Sequence, residues 1–240
     1  MSSVQRFAGK SESHSGSGTE IERTASVTEQ LIAVGEAFYS RNWVLGTAGN
    51  FSAVVSHDPF QLAITASGAH KGALTKADFL QVDQVGRSHE PHRQPSAETS
   101  IHLVLIAECG AGVVLHTHSV WSTILSDLYA ASGSLTLEGF EMLKGLSRVK
   151  THQHCEQLPI VENSQDYGPL SRAVVQALKA YPGCHGVLLR KHGLYTWGKN
   201  IEEATRHVEI FEFLFEVIGR QLHIFSQMEQ RETSGNRICS

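Results

Sequence analysis

Cysteine is scarce in this chain and offers no framework: Cys109, Cys155, Cys184 and Cys239 are scattered, and no two make a Cys-x-x-Cys. A disulfide-stapled fold is excluded on that spacing, and reduced thiols in a cytoplasmic protein are expected. Basic clusters are missing as well. Twenty Lys and Arg stand against 24 Asp and Glu, a formal net charge of -4, with no basic block or stripe. That removes nucleic acid and anionic membrane as main partners. No apolar run approaches the roughly 20 residues of a membrane-spanning helix, and the N-terminal stretch lacks a signal-type hydrophobic region. Internal repeats are absent too. What is left is ordinary: 41% hydrophobic and 18% charged residues over 240 positions, enough for one α/β domain with a full core.

Residues 1–25 are rich in Ser, Gly, Glu and Lys, and too poor in apolar groups to offset their ordering entropy. They are expected to be disordered, as is a polar C-terminal tail over 226–240, leaving 26–225 as the folded domain. Ser26-x-x-Glu29 reads as a capping box opening a helix whose apolar face is Leu31, Ile32, Val34, Gly35 and Phe38. Strands are predicted over 51–56 and 62–65 with a hairpin through Asp58-Pro59, then a short capped helix at 75–79 and a strand at 80–82. A helix over 97–109 takes Ser96 as its N-cap, with Glu98 in the first turn, where a carboxylate usually just compensates the helix dipole. Another short helix spans 119–126 with Trp121, Ile124 and Leu125 inward. A helix near 137–145 puts Glu138 and Glu141 one turn apart, as solvated residues. Leu158-Pro159-Ile160-Val161 reads as an edge strand, and Pro169 opens a helix to about residue 180. Strands over 186–190 and 194–197 precede the longest helix, from Asn200-x-x-Glu203 to about residue 223, whose aromatics suit a core or an inter-subunit contact.

The chemistry concentrates at strand ends. Gly112-Val113-Val114-Leu115-His116-Thr117-His118 is a β-branched apolar run that finishes in His-x-His. Residues two apart share a face of a strand, so both imidazoles can converge on one ion. A second apolar strand, Gly186-Val187-Leu188-Leu189, leads to His192-Gly193. Three imidazoles from two strand ends make a catalytic zinc-type site with one position open. Another His-x-His, His152-Gln153-His154, adjoins polar Lys150 and Glu156 and is the weaker metal candidate. Two small-residue loops, Gly46-Thr47-Ala48-Gly49-Asn50-Phe51-Ser52 and Ala66-Ser67-Gly68-Ala69-His70-Lys71-Gly72, expose backbone N–H groups as an anion nest does. Either loop alone is a surface turn; as a pair beside one metal they suit a phosphate ester.

Taken in order, Gly46-Thr47-Ala48-Gly49-Asn50, Ser67-Gly68, Pro95-Ser96-Ala97-Glu98, His116-Thr117-His118 and Arg190-Lys191-His192-Gly193 resemble the class II aldolase/adducin superfamily over about residues 26–225. Within it, Phe140-Glu141-Met142-Leu143-Lys144-Gly145 and His192-Gly193-Leu194-Tyr195-Thr196-Trp197-Gly198 look most like a dehydratase branch. The resemblance implies a three-layer α/β fold, with a mixed, mostly antiparallel sheet flanked by helices, and a cyclic homotetramer with active sites near subunit interfaces. It implies one zinc ion per subunit on His116, His118 and His192. A sugar-phosphate substrate follows, its phosphate lying against Gly49, Asn50, Ser67, Gly68, Lys71 and Ser96. The catalytic acid/base matches Glu141, and the expected reaction is dehydration of a methylthio-bearing ketose phosphate in methionine salvage. In the aldolase branch the match to Glu98 serves as base and as a ligand of the free enzyme. Here Glu98 is a fourth ligand, an acid/base helper or a structural remnant, and the main proton work is expected of Glu141. The rival readings are a zinc aldolase or 4-epimerase on the same scaffold, or a non-catalytic adducin-like interaction module.

Overall fold

Strand β4 (Val113–Thr117) lies at the middle of an eight-stranded sheet, and every side chain on it is buried. The structure, a computed structural model, describes residues 16–88, 90 and 92–235. The other strands are β1 (Asn50–His57), β2 (Phe60–Thr65), β3 (Phe79–Val82), β5 (Ser134–Glu138), β6 (Cys155–Val161), β7 (Gly186–Leu189) and β8 (Gly193–Gly198). Their order is β3-β2-β1-β4-β8-β7-β6-β5, and only β6 and β7 run parallel, so the sheet is mixed and mostly antiparallel.

Strand alternation sorts the core into two layers. Val113 and Leu115 pack with Leu31, Val34 and Phe38 of helix α1 (Gly16–Ser40) and Val208 of α5 (Ile201–Gly235). Leu125 of α3 (Val120–Leu128) joins Phe211, Leu214 and Phe215 of α5 on that same face. Val114, between Val113 and Leu115, points the other way, to Ile101 and Leu105 of α2 (Thr99–Cys109) and Leu170 and Val174 of α4 (Tyr167–Ala180). His116 continues the Val114 side and therefore meets α2. Trimming Leu105 or Leu115, both fully buried, to Ala should cost about 2–5 kcal/mol.

Several expectations need correction. Residues 16–25 are not disordered but form the first turns of α1, where Arg23 donates to the Val55 carbonyl at 3.1 Å and Gln81 to the Thr24 hydroxyl at 3.3 Å. Ser26 is thus inside a helix and caps nothing; residues 1–15 lie outside the described residues. At the other end α5 continues to Gly235, so residues 226–235 are helix rather than tail, and 236–240 fall outside the described residues. The α2 helix starts at Thr99 with Glu98 itself at the N-cap position and Ser96 outside it. Residues 134–138 are strand β5, because Leu135 and Leu137 are buried while Thr136 and Glu138 face out, a period of two. Gly139 breaks that strand in a left-handed conformation, and Glu141–Gly145 is a separate 3-10 turn. Strand β6 is internal, paired on both sides, and β5 forms the sheet edge. Ile124, expected inside, is exposed.

Candidate metal centre

The antiparallel pairing of β4 with β8 sets Thr117 opposite Leu194, so the end of β4 meets the turn that carries His192. Gly193 is required there: a Cβ on it would lie 2.0 Å from the Thr117 carbonyl oxygen. Gly49 is constrained in the same way, at φ +73 and with room for no Cβ against the His116 carbonyl. These close approaches draw two strand ends and the Gly49 loop around one point.

At that point the three Nε2 atoms converge, His116 to His118 at 2.7 Å and His116 to His192 at 3.3 Å. His116 donates from Nδ1 to the Leu194 carbonyl at 2.9 Å, and His192 from Nδ1 to Asn163 Oδ1 at 3.2 Å. Those outer contacts fix the tautomers of His116 and His192 and turn their Nε2 lone pairs inward, the outer-shell arrangement of a metal ligand. The rings are neutral. Burial, then the neighbouring His118 and His192, hold the His116 pKa well below its ordinary value. Burial, His192 and Lys71 push His118 down to about 3. Burial also lowers His192, against the pull of Glu98. Neutral imidazoles with their Nε2 atoms turned inward fit a divalent cation.

Glu98 completes the set. Its Oε1 lies 3.3 Å from His192 Nε2 and its Oε2 3.4 Å from His116 Nε2. Asn50 donates from Nδ2 to Glu98 Oε2 at 2.5 Å, and His102 Nε2 donates to Asn50 Oδ1. Ser52 in turn donates its hydroxyl to His102 Nδ1 at 2.7 Å. Burial holds His102 down near 3, so it is neutral and can both accept and donate. The chain Ser52–His102–Asn50 thereby fixes which face of the Asn50 amide meets Glu98. A first-turn glutamate that only compensates a dipole would face solvent; Glu98 is buried and faces the imidazoles.

Beside the cluster lies a cavity of about 190 Å³ lined by Gly49, Asn50, Ser67, Gly68, Lys71, Ser96, Glu98, His118 and Tyr167. The structure thus gathers all six residues expected to bind phosphate. Lys71 is only 1% exposed and donates to the carbonyls of Thr47 at 2.8 Å and Ala69 at 2.5 Å. Burial lowers its pKa to about 8, with Glu98 and Asp78 pulling it back up.

Glu141 does not join this group. Its carboxylate pairs with Lys144 and lies 3.8 Å from His152, with 69% of its side chain exposed. Topology explains the separation: Val161 pairs with Leu189 at the His192 end, Cys155 is at the start of β6, and Glu138 pairs with Cys155. Six residue steps along β6, at about 3.3 Å each, put Glu141 some 20 Å from the three imidazoles of its own chain.

Sequence reasoning passed over His102, Tyr195, Asn163 and Glu212. Tyr195 stacks on His116 at 3.8 Å and 9°. Glu212 accepts from the Thr117 hydroxyl at 3.0 Å, and burial pushes its pKa up to about 7. His102 and Glu212 each interrupt an apolar helical run, which was the available signal.

Residues 29–218 match the family model of the class II aldolase and adducin N-terminal domain. The methylthioribulose-1-phosphate dehydratase of Pseudomonas aeruginosa (strain LESB58) is 45% identical over 191 residues, 79% of this chain and 92% of that protein. The enzyme of the same name from Azotobacter vinelandii is 43% identical over 193 residues, 80% of this chain and 92% of its own. Among solved structures, an L-fuculose 1-phosphate aldolase superposes with a TM-score of 0.69 at 22% identity, covering 83% of this chain and 88% of that one. The L-fuculose-1-phosphate aldolase of Thermus thermophilus gives 0.65 at 22% identity, over 82% and 95%.

Proposed function

The chain belongs to the class II aldolase and adducin family, and from that membership we propose that it is a methylthioribulose-1-phosphate dehydratase of methionine salvage. The reaction removes water from 5-methylthioribulose 1-phosphate and yields 2,3-diketo-5-methylthiopentyl 1-phosphate. Similarity along nearly the whole length of curated dehydratases supports this choice of reaction. The observation that carries the chemistry is the convergence of three unprotonated imidazoles with Glu98.

Zinc is the proposed ion, one per subunit, with His116, His118 and His192 as ligands and Glu98 as a fourth in the free enzyme. Bound there it supplies Lewis-acid polarisation of the C2 ketone, which acidifies the C3 proton. Lys71 brings positive charge to the phosphate, while Gly49, Asn50, Ser67, Gly68 and Ser96 shape its seat. Binding energy from that remote group aligns C3 and C4 with the proton-transfer group. Loss of the C3 proton and departure of the C4 hydroxyl as water leave a 2-keto-3-enol, which tautomerises to the diketone.

Glu141 is the proposed carrier of that proton. Because it stands at the far end of its own sheet, it would serve the imidazoles of a neighbouring copy. That reading needs a homo-oligomer, with a tetramer as the expected form. Val120, Ile124 and Leu128 support it: spaced four apart on α3, they form an exposed apolar stripe of the kind that copies bury. The cytoplasm is the proposed compartment. Among the described residues no helix is long and apolar enough to cross a membrane.

Glu98 facing His192 favours a second reading, a zinc aldolase that uses this carboxylate as its base. Incubating the purified protein with methylthioribulose 1-phosphate separates the two. The dehydratase develops diketone absorbance that a chelator stops and added zinc restores. Aldehyde release without diketone would overturn it in favour of the aldolase.

A further inference from the structure

The opposite end of the sheet holds a second group of ligand-type side chains. His154 lies one residue before β6, Glu156 is the second residue of β6, and His185 immediately precedes β7, the parallel neighbour of β6. His154 Nε2 stands 2.8 Å and His185 Nδ1 2.9 Å from the same atom, Glu156 Oε2. One candidate ligand atom from each of the three residues falls within 4.8 Å of the others. We infer that His154, Glu156 and His185 form a second divalent-cation site, of the zinc type and separate from the centre built on His116, His118 and His192.

The outer contacts carry the inference beyond a cluster of polar groups. His185 donates from Nε2 to the Ser147 carbonyl at 2.8 Å, so its neutral form presents a bare Nδ1 to the site. Glu156 uses its other oxygen to accept the His185 backbone N–H at 2.7 Å, which turns Oε2 toward the imidazoles. Ligands whose far sides are already anchored characterise protein metal sites. The construction also repeats that of the first centre: two residues spaced i, i+2 on one extended segment, and a third just outside the end of another strand of the same sheet. Two imidazoles and a carboxylate suit a tetrahedral ion with one position open. Ligand atoms at about 2.0–2.1 Å from such an ion stand roughly 3.3 Å apart, so loading requires a modest opening of the present spacing.

Access is provided. His154 and His185 line a cavity of about 550 Å³, together with Cys184, Arg148, Lys199 and Glu203. An ion can reach the ligands from there without unfolding the sheet, as a built site requires. The competing occupant is a pair of protons shared with Glu156, and the experiment decides between them.

The test strips the full-length protein with a chelator, dialyses it against zinc alone and counts bound metal by mass spectrometry. Wild type should retain about two ions per chain. His118→Ala, which breaks only the first centre, should retain about one, and His118→Ala combined with His154→Gln should retain none. His154 is partly exposed, and its replacement leaves the core intact. Loss of all zinc from His118→Ala alone overturns the second site, as does a wild-type count that His154→Gln leaves unchanged. If the double variant fails to fold, the single His118→Ala count decides. None of these readings depends on which sugar phosphate the protein turns over.

Discussion

At one end of the sheet His116, His118 and His192 face one another nitrogen to nitrogen; at the other, His154 and His185 face the carboxylate of Glu156. Both groups are drawn from strand ends, yet their proton chemistry differs. Burial and the neighbouring imidazoles hold the pKa values of the first group down, so its rings stay neutral and offer nitrogen lone pairs to a cation. Burial alone would lower His185 too, but the Glu156 carboxylate outweighs it and raises the pKa. Burial likewise opposes ionisation of Glu156, and the contacts with His185 and His154 together override it. Geometry gathers ligand-type residues at both ends; the local balance of charge sets how readily protons hold each group together.

The largest expected effect breaks the first end. His116→Ala or His192→Ala should abolish turnover and remove the ion from that centre, read by a diketone assay and a metal count. Full activity in either variant would contradict the ligand set.

Next in size is the carboxylate that stands apart. Glu141→Gln should keep its metal and lose turnover by roughly two or more orders of magnitude. Since each chain's Glu141 is remote from its own imidazoles, co-refolding inactive Glu141→Gln with inactive His116→Ala should regain activity, measured against either variant refolded alone. Persistent inactivity of the mixture would place the proton transfer within one chain, on Glu98.

A smaller effect concerns charge beside the first end. Lys71 in the free protein titrates near 8, so it loses its ammonium as the pH rises through that value. The kcat/KM for a phosphate ester, which reports the free enzyme, should fall above it. Lys71→Met should lower kcat/KM by about 10–100-fold, the worth of one charge-assisted hydrogen bond, and abolish that alkaline limb.

The smallest effect belongs to the second end. A folded-state pKa raised above the ordinary 6.5 for His185 gives stability that is complete below 6.5 and lost as the pH climbs through the raised value. Metal-stripped protein should therefore melt lower on the alkaline side, by about 2–4 °C per kcal/mol lost. Zinc-loaded protein, with no proton there to lose, should hold its Tm. Identical profiles for the two forms would remove the proposed competition between ion and proton.

Particular residues show where sequence reading succeeds. The β-branched run before His116 reads as a buried strand because its period and composition are local properties. The long amphipathic helix after Asn200 is legible for the same reason, and Asn200 does cap it, accepting the Glu203 N–H at 2.9 Å. Leu135-Thr136-Leu137-Glu138 shows the opposite case. Joined to the segment that follows, it suggests a helix, although its own alternation has a period of two. Glu98 and Glu156 are legible only as carboxylates on a helix start and a strand, since their partners lie far off in sequence.

The sequence by itself determined which residue types occur at which strand ends, and hence the three candidate histidine ligands, while its ordered motifs carried the resemblance that implied the family and the fold. Local periodicity and ligand chemistry need no knowledge of distant partners. Only the tertiary structure decided that Glu98 is held against His192 by Ser52, His102 and Asn50, that Glu141 stands at the far end of its own sheet, and that His154, Glu156 and His185 meet. Each of those facts depends on strand order and register, which are fixed by packing among segments tens of residues apart.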